Sequence, residues 1–295
     1  MRIFLTGPSG FLGSALARHW AARGHDLWLL ARPTSRLDRL ANLPASVRVI
    51  RASTSDEIAA AVRSAAPNAI VHTACSYGRN GETALDVMDA NLRLGTVLLQ
   101  AVLETPARES GPTTFLNTGT VLASDVSLYA LSKTQFSTWG TALATLAPDR
   151  LRFIDIRLQQ MYGLGDDRSK FTTHVIEACR NNEPRLALTA GEQRRDFIHI
   201  EDVVRAYDSI LEQRSDFAAS DEIDVGSGYA VTMRSFVELA KQVAGASTVL
   251  DFGAVPYRAN EAMLCVADTA RLRGLGWQPG ISLADGLKSM MNAPR

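Results

Sequence analysis

The glycine-rich string Gly7-Pro8-Ser9-Gly10-Phe11-Leu12-Gly13 follows directly on the apolar segment Ile3-Phe4-Leu5. A turn of this kind between a strand and a helix lets backbone N–H groups approach a pyrophosphate, which the positive end of the helix also favours. The spacing is GxxGxxG, and no Gly-Lys-Ser/Thr follows, so a Walker-type loop is excluded. Close packing alone would also use such a turn, but the flanking strand and helix favour a dinucleotide site. The residues predicted to contact the dinucleotide here are Gly7, Ser9, Gly10, Phe11, Leu12 and Gly13.

Short apolar runs alternate with helical patterns along the first half of the chain. The runs predicted as strands cover residues 3–5, 27–30, 47–50, 69–72, 115–116 and 153–156, and long helical patterns cover residues 84–103 and 129–146. The runs have almost no polar interruption, which is typical of a parallel sheet covered on both faces. We therefore expect an α/β fold with a Rossmann-like, doubly wound parallel sheet.

The pattern changes after residue 162. Residues 165–170 are polar and residues 191–196 are charged, whereas residues 198–200 return to an extended apolar pattern. From residue 226 onward the pattern indicates short helices mixed with loops. We predict a dinucleotide-binding domain of residues 1–162 and 197–225, and a smaller, discontinuous C-terminal substrate lobe of residues 163–196 and 226–295.

The composition excludes several functional classes. Of 295 residues, 46% are hydrophobic, which is ample for a buried core, and 31 Lys and Arg residues balance 31 Asp and Glu residues. There is no basic block to indicate nucleic-acid binding, and we expect no signal peptide and no membrane span. Cys75, Cys179 and Cys265 form neither a metal-ligand spacing nor a disulfide framework. We expect a cytoplasmic protein without a bound metal.

The end of the second predicted strand bears on the choice of dinucleotide. An acidic residue at this place would accept hydrogen bonds from the adenosine ribose hydroxyls, but the chain reads Leu30-Ala31-Arg32-Pro33-Thr34-Ser35-Arg36. A guanidinium suits the additional 2′-phosphate of NADP, and we assign this role to Arg32, with Arg36 as a second candidate. The alternative for Arg32 is a solvated loop arginine. We expect NADP(H) to be favoured over NAD(H).

Tyr129 and Lys133 stand four residues apart at the start of a helical pattern and share one helix face. The Lys133 ammonium would lower the pKa of Tyr129 and hold the nicotinamide ribose, and Tyr129 would exchange a proton with a substrate oxygen. An exposed helical pair is the alternative. However, six tyrosines and four lysines in 295 residues give only about 0.08 such pairs by chance.

A hydroxyl that polarises a substrate carbonyl is expected at the end of the strand over residues 115–116. The chain continues there as Asn117-Thr118-Gly119-Thr120, at the carboxyl edge of the predicted sheet, where ligands bind in such folds. We choose Thr120 for this role and keep Thr118 in reserve. A turn formed by Thr-Gly-Thr without any catalytic role is the alternative.

Taken together, these motifs resemble the extended short-chain dehydrogenase/reductases, which include nucleotide-sugar epimerases, dehydratases and reductases. The resemblance covers nearly the whole chain and extends to Val71-His72-Thr73-Ala74, Met161-Tyr162-Gly163 and Arg195-Asp196-Phe197. Within the family, the string His72-Thr73-Ala74-Cys75-Ser76-Tyr77-Gly78-Arg79 is similar to the CDP-abequose-synthase type of nucleotide-sugar 4-ketoreductase.

The resemblance implies roles for individual residues. It implies a catalytic set of Thr120, Tyr129 and Lys133, with Asn91 in the proton-relay environment. The further cofactor contacts that it implies are Thr73, Ala74, Thr118, Gln160 and Met161, besides Tyr129 and Lys133. The substrate contacts that it implies are Tyr77, Arg79, Thr120, Lys170, Arg195, Arg258 and Glu261. Guanidinium donors suit a substrate diphosphate, although Arg195 could instead pair with Asp196 or Glu192, and Arg258 could be a surface charge.

The chain also departs from the family pattern. Dehydratases of this family carry an Asp-Glu pair directly after the catalytic threonine, and Val121-Leu122 occupies those places here, so dehydration is disfavoured. Gln160 stands where many relatives have Asn, and Leu164 where many have Pro. Ala52-Ser53 stands where an Asp often contacts the adenine.

Three functions are compatible with these residues. We expect an NADPH-dependent 4-ketoreductase acting on a nucleotide-linked keto-deoxy sugar. A C4 epimerase with tightly bound NAD uses the same catalytic set, but the NADP-type Arg32 counts against it. A non-catalytic NADP-sensing protein is the third reading, and the intact catalytic set counts against that. Relatives often form homodimers through the two helices that correspond to residues 84–103 and 129–146, and we expect the same here.

Overall fold

The computed structural model describes residues 1–292. Its strands are β1 (Arg2–Thr6), β2 (Asp26–Ala31), β3 (Arg48–Arg51), β4 (Ala69–His72), β5 (Thr113–Thr118), β6 (Leu151–Leu158), β7 (Gln160–Tyr162), β8 (Arg185–Leu188), β9 (Arg194–His199), β10 (Ser220–Val225), β11 (Ala230–Thr232), β12 (Val249–Phe252) and β13 (Leu264–Cys265). Its α-helices are α1 (Phe11–Ala22), α2 (Ser55–Ala65), α3 (Ala84–Met88), α4 (Leu94–Glu104), α5 (Leu128–Leu146), α6 (Phe171–Arg180), α7 (Ile200–Glu212), α8 (Met233–Ala244), α9 (Ala270–Gly274) and α10 (Leu283–Met291). Within residues 1–292, no helix is long and apolar enough to cross a membrane.

Seven strands form the main sheet, in the order β10-β6-β5-β4-β1-β2-β3. The pairings from β6 to β3 are all parallel. From β1 the chain proceeds outward through β2 and β3, and then returns to β4 on the other side of β1. A reversal of strand order at this point creates the crevice in which doubly wound folds bind ligands, at the carboxyl ends of the strands. The predicted α/β, doubly wound fold is confirmed.

The chain divides into two compact units. The first consists of residues 1–157 and 208–223, and the second of residues 158–207 and 224–295. These bounds differ from the predicted domains at residues 158–162, 197–207 and 224–225. The division into a cofactor domain and a substrate lobe concerns function and stays a prediction.

The core of the first unit is rich in phenylalanine. Phe115 from β5 stacks on Phe153 from β6, with ring centroids 5.6 Å apart, and Phe136 from α5 meets both rings. All three side chains are fully buried. Gly140 lets α5 approach this cluster, because a Cβ at that position would lie 2.1 Å from the Phe153 ring. This packing therefore fixes the position of α5 relative to the sheet, and with it the positions of the side chains on α5.

The helical pattern predicted over residues 84–103 is present but not uniform. It consists of α3 and α4, joined by a π-helical turn over Asp89–Arg93. A capping box between Thr83 and Asp86 starts α3. A π-turn inserts one residue into the helix and often marks a functional site. The sequence pattern did not reveal this turn, because one extra residue shifts the apolar period only slightly.

The second unit contains more strands than the sequence indicated. In its four-stranded sheet β9 is flanked by β11, β13 and β7, and β12 pairs with β8 in a two-stranded sheet. Residues 198–200, predicted as extended, are divided between the end of β9 and the first residue of α7. The core is built around Phe197 and Phe236, which stack with ring centroids 4.3 Å apart. The short strands were missed because two to four residues cannot show a clear alternation.

Candidate active site

The glycine turn connects β1 to α1 as predicted. Gly7 has a φ of +67°, which glycine adopts at little cost, and its carbonyl accepts a hydrogen bond from Gly10 N at 3.0 Å. A Cβ at Gly13 would lie 2.1 Å from the Gly7 carbonyl oxygen. Helix α1 starts at Gly10 without a side-chain cap and without an acidic residue in its first turn. The turn therefore presents backbone amides and a positive helix end to an anion.

The residues after β4 pack against this turn. The Thr73 hydroxyl donates to the Thr6 carbonyl at 2.7 Å, and a Cβ at Gly7 would lie 2.7 Å from Ala74 N. His72 is fully buried, and its Nδ1 and the Thr6 hydroxyl lie 2.8 Å apart. Burial, together with the charge of Lys133, holds the pKa of His72 well below its usual value. The predicted cofactor residues Thr73 and Ala74 thus adjoin the glycine turn.

The loop after β2 carries the two arginines predicted to select NADP. Arg32 is exposed. Arg36 is also exposed and forms an ion pair with Asp38 at 2.7 Å. Arg51, at the end of β3, donates to the carbonyls of Arg32 and Pro33 at 3.1 and 2.7 Å and so fixes the shape of the loop. The sequence analysis missed Arg51, because its role is to bind backbone and no side-chain motif marks it.

Tyr129 and Lys133 lie on the inward face of α5, in its first two turns. The Ser127 hydroxyl accepts a hydrogen bond from Ala130 N and caps the helix. Lys133 is only 1% exposed, and burial lowers the pKa of its ammonium, an effect that Cys75 and Asp155 oppose. Burying an ammonium group is costly, and a buried lysine with a shifted pKa is a candidate functional residue.

The Thr120 hydroxyl lies next to Tyr129. The two side chains form a hydrogen bond, and the Thr120 Oγ1 also accepts from Leu122 N at 3.2 Å. Burial raises the pKa of Tyr129, and Cys75 raises it further, while Thr120 and Arg79 act in the opposite direction. The expectation that the pKa of Tyr129 would be lowered is therefore wrong for this structure. Lys133 is not among the groups that set it, and desolvation outweighs the favourable contacts.

Asn91 lies in the π-helical turn and is fully buried. Its Nδ2 donates to the Ser76 carbonyl at 2.8 Å and to the Ser132 hydroxyl at 2.9 Å, and its Oδ1 accepts from Ser76 N at 2.7 Å. Ser132 in turn donates to the Tyr129 carbonyl at 2.9 Å. Asn91 thus ties the loop after β4 to the first turn of α5. Its predicted part in a proton relay stays a prediction.

The loop after β4 places two further predicted residues at this site. The rings of Tyr77 and Tyr129 have centroids 4.8 Å apart, and the Arg79 guanidinium lies 5.3 Å from the centre of the Tyr77 ring. Cys75, which precedes them, influences both Tyr129 and Lys133 electrostatically. No role was predicted for Cys75 from the sequence. Its position three residues after a buried strand was the available signal.

Two polar residues beneath this site were missed. Asn117 at the end of β5 donates to the Asp155 carboxylate at 2.6 Å, and the two residues are register partners on neighbouring strands. Ser137 on α5 also hydrogen-bonds to Asp155. Gly119 leaves room for the carboxylate, because a Cβ there would lie 2.6 Å from Asp155 Oδ1. The available signal was a carboxylate inside the apolar run 153–156.

The remaining predicted residues belong to the second unit. Gln160 is exposed and Met161 half-buried, both on β7. Arg195 on β9 is 11% exposed in its side chain and forms an ion pair with Glu261. Lys170 precedes α6 and pairs with the buried Asp166 at 2.9 Å. Arg258 is exposed, and its carbonyl accepts from Glu261 N at 3.2 Å. The alternative partners considered for Arg195, Asp196 and Glu192, are not the carboxylate that it meets.

The residues of the first unit fit a dinucleotide. Side chains at Gly7 and Gly13 would collide with the backbone of the turn, and glycine keeps that backbone accessible at the N-terminus of α1. A buried Tyr–Lys pair and a threonine hydroxyl stand at the carboxyl edge of the same sheet. This set can bind a nicotinamide ribose, hydrogen-bond a carbonyl oxygen and move a proton to it.

The sequence and fold are similar to those of known proteins. A model of the NAD dependent epimerase/dehydratase family matches residues 3–226. The chain is 28% identical over 301 aligned residues to CDP-abequose synthase of Salmonella typhimurium, covering 98% of this chain and 97% of that protein. UDP-glucose 4-epimerase of Thermotoga maritima, solved with UDP-glucose, has a TM-score of 0.82 at 19% identity and covers 99% of this chain and 97% of that chain. The Thermus thermophilus UDP-glucose 4-epimerase complex with NAD has a TM-score of 0.80 at 22% identity and covers 99% of this chain and 98% of that chain.

Proposed function

The chain belongs to the NAD dependent epimerase/dehydratase family, and we propose that it is an NADPH-dependent reductase of a nucleotide-linked 4-keto-6-deoxy sugar. It is an NAD(P)-dependent oxidoreductase-type enzyme, and its likeness to CDP-abequose synthase over nearly its whole length makes it a nucleotide-sugar modifying enzyme. One observation carries the more specific proposal. The hydrogen-bonded Thr120 and Tyr129 adjoin the apolar residues Val121-Leu122, which cannot supply the acid and base that a dehydration needs.

The side chains support a division of labour in the reduction. Tyr129 donates its proton to the carbonyl oxygen, and Thr120 orients that carbonyl through its hydroxyl. The phenol is protonated near neutral pH and so has a proton to donate, although burial, which raises the pKa of Tyr129, makes it a weaker acid. Lys133 holds the nicotinamide ribose, and Asn91 keeps the first turn of α5 in place. The nicotinamide, when bound, supplies the hydride.

Selection of NADPH rests on the loop after β2. This loop offers Arg32 and lacks the carboxylate that would bind the ribose hydroxyls of NAD. Arg51 fixes the carbonyls of the loop, so the position of Arg32 is defined although its side chain is exposed. Arg36 contributes less, because Asp38 already pairs with it.

Each unit carries residues to which we assign substrate contacts. In the first unit, Tyr77 and Arg79 face the sugar beside Tyr129. In the second unit, Arg195 binds the diphosphate and Arg258 assists it, while Glu261 and Lys170 contact hydroxyl or phosphate groups. The contact between the tilted rings of Tyr77 and Tyr129 supports the first assignment. The low exposure of Arg195 supports the second.

NADPH oxidation tests this function directly. Absorbance is followed while CDP-, dTDP- and GDP-linked 4-keto-6-deoxyhexoses, each generated in situ, are offered in parallel. We expect stoichiometric oxidation with one nucleotide series. Tight NADP(H) binding without oxidation of any of them, together with isomerised sugar products, would instead identify an epimerase. Binding of NADP(H) without any changed sugar product would favour a non-catalytic NADP-sensing protein.

We further propose a cytoplasmic homodimer that associates through α5 and α3. One stripe of α5 exposes Leu128, Leu131, Trp139 and Leu146, the last at 81%, and α3 adds Leu85 at 67%. An exposed apolar patch of this kind is typical of a protein interface. Sedimentation analysis should give a dimer for the wild type and a monomer for Trp139→Lys. The neighbouring exposed position provides the control variant Thr138→Lys, which should remain dimeric.

A further inference from the structure

Asp155 is a carboxylate on a strand of the main sheet, and the proposed catalytic set leaves it without a role. It lies on β6, the second strand from one edge, between β5 and β10. Asn117 donates to Oδ1 at 2.6 Å, and the Ser137 hydroxyl donates as well. Ser137 stands four residues after Lys133 and eight after Tyr129, so the carboxylate meets α5 on the same face, one turn beyond the catalytic lysine.

The carboxylate also touches the turn that carries Thr120. A Cβ at Gly119 would lie 2.6 Å from Asp155 Oδ1 and 2.9 Å from Oδ2, so the α-carbon of Gly119 rests on the carboxylate. Gly119 N donates to the Ile156 carbonyl at 2.8 Å, directly after Asp155. One carboxylate thus contacts the end of β5, the threonine turn and the catalytic face of α5.

Asp155 and Lys133 influence each other electrostatically. The carboxylate raises the pKa of Lys133, against burial, which lowers it. The pKa of Asp155 is itself raised by burial, against its hydrogen bonds to Ser137 and Asn117 and the charge of Lys133. The other titratable or charged groups that act on this pair are Cys75 and His72 near Lys133, and Glu222 on β10 near Asp155.

We propose that Asp155 is a positioning residue, which acts on Lys133 and Thr120 through the contacts that it makes with α5, the end of β5 and the Gly119 turn. The proposal rests on the proposed function in that it takes Lys133 and Thr120 as catalytic. A carboxylate kept only for stability would be a poor choice here, because desolvation makes its charged form unfavourable.

The test compares Asp155→Asn with Glu104→Gln, which removes an exposed carboxylate paired with Arg63. In Asp155→Asn, Lys133 loses a charge that favours its ammonium form, so the alkaline limb of kcat moves to lower pH. In Glu104→Gln the limb stays in place. The double variant Asp155→Ser with Ser137→Asp exchanges the two hydrogen-bond partners, so that a carboxylate again lies between β6 and α5. We expect the alkaline limb of kcat to move back toward its position in the wild type.

Thermal unfolding gives a readout that needs no turnover. The pKa of Asp155 is raised on folding, so stability falls as pH rises above the unfolded pKa and the full cost is present above the folded pKa; the neutral amide escapes that cost. We expect the unfolding midpoint of Asp155→Asn at pH 7.5 to be no lower than that of the wild type, with the difference vanishing in acid. A midpoint several degrees lower, or an unchanged alkaline limb, would overturn the proposal. If the wild type reduces no ketosugar, the proposed function fails, while this melting comparison still shows whether Asp155 is kept for stability.

Discussion

Lys133 in the first unit and two cations in the second are held in opposite ways. Lys133 is fully buried, Cys75 and Asp155 act on it electrostatically, and burial lowers its pKa. By contrast, Arg195 and Lys170 each form an ion pair with a carboxylate, Glu261 and Asp166 respectively. Burial thus disfavours the charged form of Lys133 in the first unit. In the second unit, carboxylates pair with the charges of Arg195 and Lys170.

This difference predicts that substrate affinity and catalytic rate depend on different residues. A diphosphate that binds Arg195 must share or replace Glu261, so the net gain in affinity is smaller than that of a free guanidinium. The groups around Tyr129 need no such exchange, because their hydrogen bonds join one another through Thr120, Asn91 and Ser132. Variants in the first unit should therefore change kcat, and variants in the second should change KM.

The largest effect is expected for Tyr129→Phe. Loss of the proton donor should lower kcat by about a thousandfold, since general acid catalysis contributes on that order. NADPH binding, measured by fluorescence, should persist. The exposed Tyr229 offers the control Tyr229→Phe, which should leave kcat unchanged. Full turnover in Tyr129→Phe would contradict the expectation that variants in the first unit change kcat.

Gly13→Ala should damage cofactor binding and folding together. Its Cβ would lie 2.1 Å from the Gly7 carbonyl oxygen, and relief of the clash should cost about 3 kcal/mol of unfolding free energy. Gly274→Ala is the control, because nothing lies within 4 Å of a Cβ there. Chemical denaturation and NADPH titration measure both effects. Equal stability of the two variants would contradict the packing described for the turn.

Arg195→Gln should raise the KM for the nucleotide sugar while kcat changes little. Loss of a charge-assisted hydrogen bond to a diphosphate corresponds to about 1.5–3 kcal/mol, or about ten- to a hundredfold in KM. The adjacent Arg194 is exposed and donates to the Ala230 carbonyl, so Arg194→Gln is a matched control. A fall in kcat at constant KM would place Arg195 with the catalytic residues instead.

The smallest effect is expected for Arg32→Asp, which should change the ratio of kcat/KM for NADPH and NADH by about tenfold in favour of NADH. Arg36→Ala should change it less, because Asp38 pairs with Arg36. Steady-state kinetics with both cofactors measures the ratio. An unchanged ratio in Arg32→Asp would remove the argument for NADPH.

The sequence predicted the first unit well. Its strands are short apolar runs of the parallel type, and the glycine turn and the Tyr129/Lys133 spacing are local patterns that a linear reading can detect. Residues such as Asp155 and Asn117 escaped it, because their roles arise from pairing between strands 38 residues apart in the chain. Arg51 escaped for the same reason.

The second unit was harder to predict. Its strands β7, β11 and β13 have three residues or fewer, too short for an alternating pattern, and β8 and β12 form a sheet of only two strands. The partner of Arg195 could not be predicted from spacing, whereas the partner of Lys170, Asp166, stands only four residues before it. Glu261 is 66 residues from Arg195, and only folding brings the two together.

The most direct test of the central claim is to follow the transferred hydrogen. NADPH that carries deuterium at the transferring C4 position is incubated with the nucleotide-linked 4-keto-6-deoxy sugar, and the product is analysed by mass spectrometry and NMR. The account predicts one deuterium on the carbon that was the ketone, with one NADP⁺ formed for each product molecule. A product without deuterium and without net NADPH consumption would contradict it.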